Sequence, residues 1–275
     1  MSEISASEVK KLRDYTGAGM MDCKKALRET GGDFDAAVEY IRKKGQAAAN
    51  KRADREASEG VALAKTNSEE NFGVIVVLNC ETDFVAKNDE FVKLADSIVN
   101  LALEKQPGSV DELKELNLDE RRVIDHITDQ IGIIGEKIEL SYYDKLEAAR
   151  VIPYIHPGNK LATLVGFNKN VDTEVGRNVA MQIAAMNPVS VDKEGVPQDI
   201  IDKELEIGKE QAKQEGKPEN IQEKIAQGKL NKFFKESTLL EQDYTRDSKK
   251  TVRQYLQESD REVKVTGFLR YSLTG

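Results

Sequence analysis

The N-terminal part of the chain carries apolar residues at helical spacing, in runs that glycines separate. The second run ends at Gly31, and Asp33 is placed to cap a third helix, which the pattern ends by Gly45. The residues that follow are Ala-rich and charged without an apolar stripe, which is typical of an exposed helical linker. Residues 1–56 are therefore predicted to form a three-helix module and a linker.

The middle of the chain changes to the period of β-strands. Residues 73–80 form a β-branched run that predicts a buried strand, and residues 61–65 can pair with it as a hairpin. A helix with one apolar face is predicted over 89–104. The same strand-and-helix pattern recurs at 161–168 and 174–186. We therefore expect the two regions to be a duplication in which few residues are identical.

Two similar halves predict a core made of two small antiparallel sheets, each covered by helices. The halves span 57–138 and 139–275, and residues 139–155 are expected to give the second half an extra strand or hairpin. A charged segment with helical spacing at about 190–235 predicts an inserted helical hairpin. Its apolar stripe is narrow, so it is either a solvated arm or a projection that touches a second protein. The fold class is α+β.

Composition narrows the function. The chain has 275 residues and a formal charge of −8, and an acidic protein is poorly suited to contact nucleic-acid phosphates broadly. A protein partner is more plausible for a chain of this charge. A signal peptide and a membrane span are not recognisable in the sequence, which predicts a cytoplasmic protein. The two cysteines, Cys23 and Cys80, lie far apart and only two histidines exist, so neither a disulfide framework nor a zinc or other metal site is expected.

Motifs for nucleotide binding and covalent catalysis are weak. The nearest approach to a dinucleotide fingerprint, residues 17–22, lacks its third glycine and follows a helix rather than a strand. Asp83 and His156 could be brought together by folding, but no serine elbow or Cys-His pair marks a nucleophile. An enzyme that uses these two residues is therefore the weakest of the hypotheses.

The loop after the strongest strand is the most informative local feature. Thr82, Asp83, Phe84 and Val85 place an aromatic ring and a carboxylate between that strand and the next helix. In one interpretation Asp83 caps the helix and Phe84 is a core residue. In the other, Phe84 protrudes and inserts into a pocket of a partner, where its burial would contribute about 1.5–3 kcal/mol.

Three further positions allow the same two interpretations. His156 stands in a turn before Pro157, where it either hydrogen-bonds locally or contacts a partner, whereas His126 is expected to be an ordinary residue of a helix surface. Met20 and Met21 are either core residues or an adaptable contact surface.

Two segments of the chain resemble a known family. LRDYTGAGMMDCKKAL at residues 12–27 and NCETDFVAK at 79–87 are similar to the two signature segments of the bacterial translation elongation factor Ts family, in the expected order. The similarity extends to VTGFLRY at 265–271. It implies a guanine-nucleotide exchange factor without a cofactor or covalent chemistry of its own. Such a factor binds elongation factor Tu carrying GDP, displaces magnesium and GDP, and lets GTP enter.

The resemblance also implies roles for individual residues. The N-terminal module would be similar to ubiquitin-associated domains and would contact the nucleotide-binding domain of the partner. The loop at Asp83 and Phe84, with Thr82 and Val85 beside them, would push between two helices near the magnesium site. The other implied contacts are Arg13, Met20, Met21, Ile131, Gly132 and His156.

Some expectations stay open beside this resemblance. The family usually carries a glutamate where this chain has Val77, and some members have a further C-terminal helical module after the position that matches Gly275. Because both halves of the core occur in one chain, a one-to-one complex is expected, with pairing of two complexes through the hairpin left open. The alternative function is an adaptor that binds a partner through the three-helix module without exchanging nucleotide.

Overall fold

The computed structural model describes residues 4–274, which form helices and small antiparallel sheets as expected for an α+β protein. The N-terminal helices are α1 (Ala6–Thr16), α2 (Met20–Glu29) and α3 (Phe34–Arg52). The next elements are β1 (Glu59–Thr66), β2 (Phe72–Cys80), α4 (Asp83–Ala86), α5 (Asp89–Lys105), α6 (Val110–Glu115), β3 (Asn117–Leu118), β4 (Arg121–Arg122), α7 (Val123–Ile134) and β5 (Ile138–Glu147). The remaining ones are β6 (Arg150–Ile155), β7 (Leu161–Phe167), α8 (Thr173–Met186), α9 (Gln198–Gln214), α10 (Glu219–Ser237), β8 (Asp243–Tyr244), β9 (Asp247–Thr251), α11 (Val252–Ser259) and β10 (Val265–Ser272).

The three N-terminal helices enclose a small core of their own. Ser5 begins α1 with a capping box, and the carboxylate of Asp33 accepts a hydrogen bond from the Ala36 backbone at the start of α3, as predicted. The buried side chains of this core are Val9, Leu12, Ala18, Cys23, Ala26, Leu27, Ala37 and Val38.

Helix α3 continues beyond Gly45, so the prediction that it ends there is wrong. A Cβ at Gly45 would lie 3.2 Å from the carbonyl oxygen of Thr128 in α7. The missing side chain therefore allows two helices to approach closely rather than stopping one of them. As a result the second half of α3, expected to be an exposed linker, packs against the core.

The first sheet has the order β1-β2-β5, and all its pairs are antiparallel. The predicted hairpin of β1 and β2 is confirmed, and every residue of β2 is buried. Strand β5 was expected to serve the second half, but it pairs with β2, with Tyr143 opposite Val76. Without β5, the second edge of the buried strand β2 would leave backbone groups unpaired, which is costly.

The second sheet has the order β10-β7-β6. Of the residues expected to extend the second half, only those of β6 belong to this sheet. Helices α8 and α11 cover its outer face, with buried side chains that include Val165, Phe167, Val179, Ile183, Val252 and Leu256. Helices α5 and α7 cover the outer face of the first sheet in the same way.

The two sheets also pack against each other. Their shared layer contains Ala62, Ala64, Ile75 and Val77 from the first sheet and Val151, Ala162 and Leu164 from the second. At Gly73 an added Cβ would meet side-chain atoms of Val151 and Leu164 at 3.0 Å. The core is therefore layered as helices, sheet, sheet and helices.

The predicted hairpin is formed by α9 and α10. A Cβ on Gly208 would lie 2.9 Å from the Cα of Ala226, so the two helices are in close contact there. The residues of α9 and α10 that are buried are Gly208, Ala212, Ala226 and Leu230, which matches a narrow apolar stripe. Within residues 4–274, the length and apolarity that a membrane-crossing helix requires are not found together in any helix.

Candidate functional site

The loop between β2 and α5 presents Phe84 to solvent. The residue lies in the single turn of α4, and 83% of its surface is exposed. The neighbouring Ala86 is buried, so the turn is seated on the core while the ring points away from it. The interpretation of Phe84 as a core residue is therefore wrong, and the protruding aromatic side chain is confirmed.

The base of this loop is held by two glutamates. The backbone N–H and the hydroxyl of Thr82 donate to the carboxylate of Glu136, at 3.1 and 2.7 Å. The carboxylate of Glu81 accepts from the backbone N–H of Lys137 at 2.6 Å. This hydrogen bond is the main reason why the pKa of Glu81 is lowered. Thr82 also caps α4, since its hydroxyl accepts from the Val85 backbone.

Asp83 is the first residue of α4 rather than the cap of α5. That cap is Asn88, whose side chain accepts from the backbone of Glu90. The Asp83 carboxylate pairs with the Lys87 ammonium at 2.6 Å, and this hydrogen bond lowers the pKa of Asp83. Asp83 is therefore a carboxylate at neutral pH, at the positive end of a helical turn.

His156 lies near this loop, in the turn between β6 and β7. Its side chain is exposed, and its Nδ1 is 2.8 Å from the hydroxyl of Tyr154, so it both hydrogen-bonds locally and remains accessible. In the same turn, Lys160 forms an ion pair at 2.7 Å with Glu59. Glu59 is opposite Cys80 in the first sheet, directly before the loop. The positive charge of Lys160 also contributes to the lowered pKa of Asp83. The two predicted loop sites therefore share one edge of the core.

The N-terminal module presents a second apolar surface. Met20 and Met21 are 53% and 76% exposed, so they are surface residues and not core residues. Tyr15 is 65% exposed beside them in the chain, and its ring meets Phe34 edge-on at 5.5 Å between centroids. Arg13 is exposed as well. Methionine and tyrosine side chains of this kind suit an adaptable contact with another protein.

The structure separates the predicted pair, with Ile131 in the interior and Gly132 exposed. Ile131 is buried in the core under the first sheet. A Cβ on Gly132 would lie 2.8 Å from the Cα of Gly45, so this residue is at the contact between α7 and α3. The exposed apolar neighbour is Ile133. The structure thus buries Ile131, whereas Gly132 is exposed beside the helix contact, next to the exposed Ile133.

Sequence reasoning missed three residues of these surfaces. Tyr15 and Ile133 are exposed apolar side chains, but an isolated apolar residue on a helix predicts burial as readily as exposure. Glu136 binds a residue 54 positions away, and this pairing has no local signal in the sequence. His126 is partly buried, with its Nε2 at 3.0 Å from the Leu118 carbonyl, rather than a plain surface residue.

Groups that could support other chemistry are placed unfavourably. Both cysteines are buried, and burial, with a smaller contribution from the charge of Glu136, raises the pKa of Cys80 to about 12. Among residues 4–274, His, Cys, Asp and Glu side chains do not form a group of three or more that could hold a metal ion. The exposed apolar side chains of Phe84, Met20 and Met21 are of the kind found in proteins that contact other proteins, and this is the class that the site favours.

Comparison with known proteins gives the family. The sequence model described as Elongation factor TS matches residues 81–275. A protein named Elongation factor Ts from Porphyromonas gingivalis is 52% identical over 271 residues, which cover 98% of this chain and 98% of that relative. Proteins of the same name from Christiangramia forsetii and Cytophaga hutchinsonii are 52% and 47% identical, with 99% and 100% of this chain covered and 100% of each relative. The chain belongs to the elongation factor Ts family.

Proposed function

We propose that this protein is the nucleotide-exchange factor of translation elongation, acting on elongation factor Tu. It binds the complex of that protein with GDP, displaces magnesium and GDP, and thereby allows GTP to enter. It uses binding energy and performs no covalent chemistry. The observation that carries the proposal is the side chain of Phe84, which is 83% exposed on a loop that hydrogen bonds hold in place, in a chain of this family.

Exchange by a binding protein requires a difference in affinity. The factor must bind nucleotide-free elongation factor Tu more tightly than the GDP-bound form, because only differential binding shifts an equilibrium. By linkage, it weakens GDP binding by the same factor by which GDP weakens its own binding. The step is thus reversible, and an excess of GTP determines its direction.

The two exposed surfaces have separate roles in this proposal. Phe84 and Asp83 enter between two helices of the nucleotide-binding domain and disturb the magnesium site, supported by Thr82 and Val85. His156, on the same edge of the core, acts on the same region. The surface of the N-terminal module holds that domain through Arg13, Met20 and Met21. The second half and the hairpin of α9 and α10 contact the other domains of the partner.

The proposed roles are assigned to successive parts of the chain. We assign residues 1–56 to a helical module similar to ubiquitin-associated domains, residues 57–147, which end with β5, to the half that carries Phe84, and the residues from β6 onward to the half that carries the hairpin. Strand β5 (Ile138–Glu147) connects the last two, since it completes the sheet of the first. One copy of this chain is proposed to act on one copy of elongation factor Tu, because both sheets occur in a single chain.

Release of fluorescent GDP from elongation factor Tu tests the function directly. The rate of release is measured by stopped flow in the presence of excess unlabelled GDP. Four conditions are compared: buffer alone, the full chain, Phe84→Ala and Phe84→Leu. We expect strong acceleration by the full chain and a loss of about tenfold or more in Phe84→Ala, with Phe84→Leu between them because it keeps part of the apolar side chain. Equal acceleration by all three would assign exchange to other contacts. Binding without acceleration would favour the adaptor.

A further inference from the structure

Of the two carboxylates that hold the Phe84 loop, that of Glu136 makes both of its hydrogen bonds to one residue, Thr82. Both oxygens of Glu136 are occupied by Thr82, one by the backbone N–H at 3.1 Å and the other by the hydroxyl at 2.7 Å. Hydrogen bonds to a carboxylate are roughly twice as strong as those between neutral groups. A two-point attachment also fixes the direction of a side chain and its backbone, which a single bond does not.

The residues next to Thr82 and Glu136 form a further hydrogen bond, in which the loop side accepts instead of donating. Glu81, before Thr82, accepts from the backbone N–H of Lys137, after Glu136, at 2.6 Å. Two consecutive residues of the loop are therefore hydrogen-bonded to two consecutive residues after α7. Glu81 is further paired with Arg55 at 3.2 Å. The loop cannot turn about a single contact, because the attachments lie on consecutive residues.

The support that carries Glu136 is itself fixed. It follows Gly135, which ends α7 in the left-handed conformation at φ 82° and whose carbonyl accepts from the Arg52 side chain at 2.8 Å. The Lys137 ammonium donates to the carbonyls of Ala53 and Arg55, each at 3.0 Å. Glu136 is thus held between the core and the end of α3, and it gives the loop a firm base.

Helix α4, by contrast, cannot maintain its own geometry. It has four residues, and a single helical turn is unstable in water without contacts that order it. Thr82 is both the cap of this turn and the residue that Glu136 binds. The direction of the exposed Phe84 ring therefore depends on how Thr82 is held.

We propose that Glu136 is a positioning residue for nucleotide exchange, acting on Phe84 through Thr82. This inference rests on the proposed function and extends it to a residue at the base of the Phe84 loop. Glu136 keeps α4 in the conformation that meets the partner, so the ordering of the loop is not required at the moment of binding. Its loss lowers the rate of GDP release at saturation more than it weakens the complex, since the surface of the N-terminal module is intact.

The test uses the full chain and a double-mutant cycle. Glu136→Gln keeps the shape but removes the negative charge and one of the two acceptor oxygens, so the two donors of Thr82 no longer each face an oxygen. Thr82→Val removes the hydroxyl, whereas Thr82→Ser retains it. We expect Glu136→Gln to lower the saturating rate about tenfold, the loss that corresponds to one hydrogen bond to a charged group. Thr82→Val should also lower the saturating rate of GDP release, and Thr82→Ser should give a rate close to that of the unmodified chain. The concentration of the factor that gives half of the saturating rate should change little.

The matched control and the second background decide the assignment. Glu147→Gln makes the same substitution at an exposed residue at the other end of β5 and should leave exchange unchanged. In a Phe84→Ala background, Glu136→Gln should cause no further loss, because its effect acts through the ring. An equal loss in both backgrounds, or no loss in either, would overturn the proposal.

Hydrogen exchange separates this inference from the proposed function. Deuterium uptake by the peptide covering 81–88 is measured in the isolated chain, with and without Glu136→Gln. Faster uptake in the variant, with unchanged uptake in the rest of the first sheet, is expected if Glu136 orders the loop. Faster uptake with no acceleration of GDP release by the unmodified chain would contradict exchange while retaining the ordering role. Unchanged uptake would overturn the positioning role even if exchange is observed.

Discussion

Gly132 of α7 and Gly45 of α3 meet backbone to backbone: a Cβ on Gly132 would lie 2.8 Å from the Cα of Gly45. This contact joins the N-terminal module to the core, since α3 belongs to the first and α7 to the second. Arg52 reinforces it farther along α3 by donating to the carbonyl of Gly135. The position of the N-terminal module relative to the loop of Phe84 therefore depends on this helix crossing.

Substitution of Gly132 by alanine is expected to disturb this crossing. Overpacking against a backbone atom costs about 1–3 kcal/mol, which exceeds the gain of about 0.5–1 kcal/mol from replacing glycine in a helix. Gly132→Ala should thus lower the free energy of unfolding measured in urea. Gly228→Ala in α10 is the control, because its Cβ meets no atom within 4 Å, and it should be stabilising. A stabilised Gly132→Ala would contradict the close contact.

Phe84→Ala is expected to leave stability nearly unchanged. The ring is 83% exposed, so its removal should alter the free energy of unfolding by less than about 0.5 kcal/mol. Phe91→Ala provides the contrast, since Phe91 is fully buried under the first sheet and its loss should cost about 3–5 kcal/mol. Circular dichroism during urea unfolding compares them. A large destabilisation by Phe84→Ala would mean that the ring packs on the protein in solution.

Glu81 predicts an acid-dependent contribution to stability. The hydrogen bond from Lys137 lowers its pKa below the usual 4.5 in the folded protein. A carboxyl with a lowered folded pKa stabilises the protein above its unfolded pKa, and this stabilisation is lost as the pH falls through the folded value. Glu81→Gln should therefore lower stability at pH 7 and reduce the dependence of stability on pH below about 4.5. Parallel pH profiles for the two proteins would contradict the assignment.

The two thiols are expected to be inert in the folded protein. Both are buried, and burial raises the pKa of Cys80 to about 12, so this thiol carries little of the reactive thiolate at pH 8. A chromogenic disulfide reagent should find no reactive thiol under native conditions and two in denaturant. Fast reaction of the native chain would show that one cysteine is accessible.

The local sequence pattern predicted the strands and helices that have a clear apolar periodicity of their own. The β-branched run that became β2 and the amphipathic α5 each carry their own periodicity, so both were placed within a residue. Gly45 was misinterpreted because an absent side chain serves a helix end and a close helix contact equally well. Only the packing of α7 distinguishes the two.

Long-range pairing accounts for the remaining differences. Strand β5 could join either sheet by its own pattern, and its place was determined by the unpaired edge of β2. The direction of Phe84 was open for a similar reason, since one aromatic residue in a four-residue turn fits a core or a surface. The resemblance to a family indicated the surface, and Glu136, which holds the loop, became visible only in three dimensions.

The layer shared by the two sheets has a mechanical consequence. Ile75 and Val77 of the first sheet pack directly on Leu164 of the second, and β5 leads from one sheet into the next along the chain. The two halves cannot easily bend against each other at this layer, because bending would separate the packed apolar side chains of both sheets. A force applied at Phe84 would therefore be borne by both sheets together, and the loop would keep its place relative to the rest of the core.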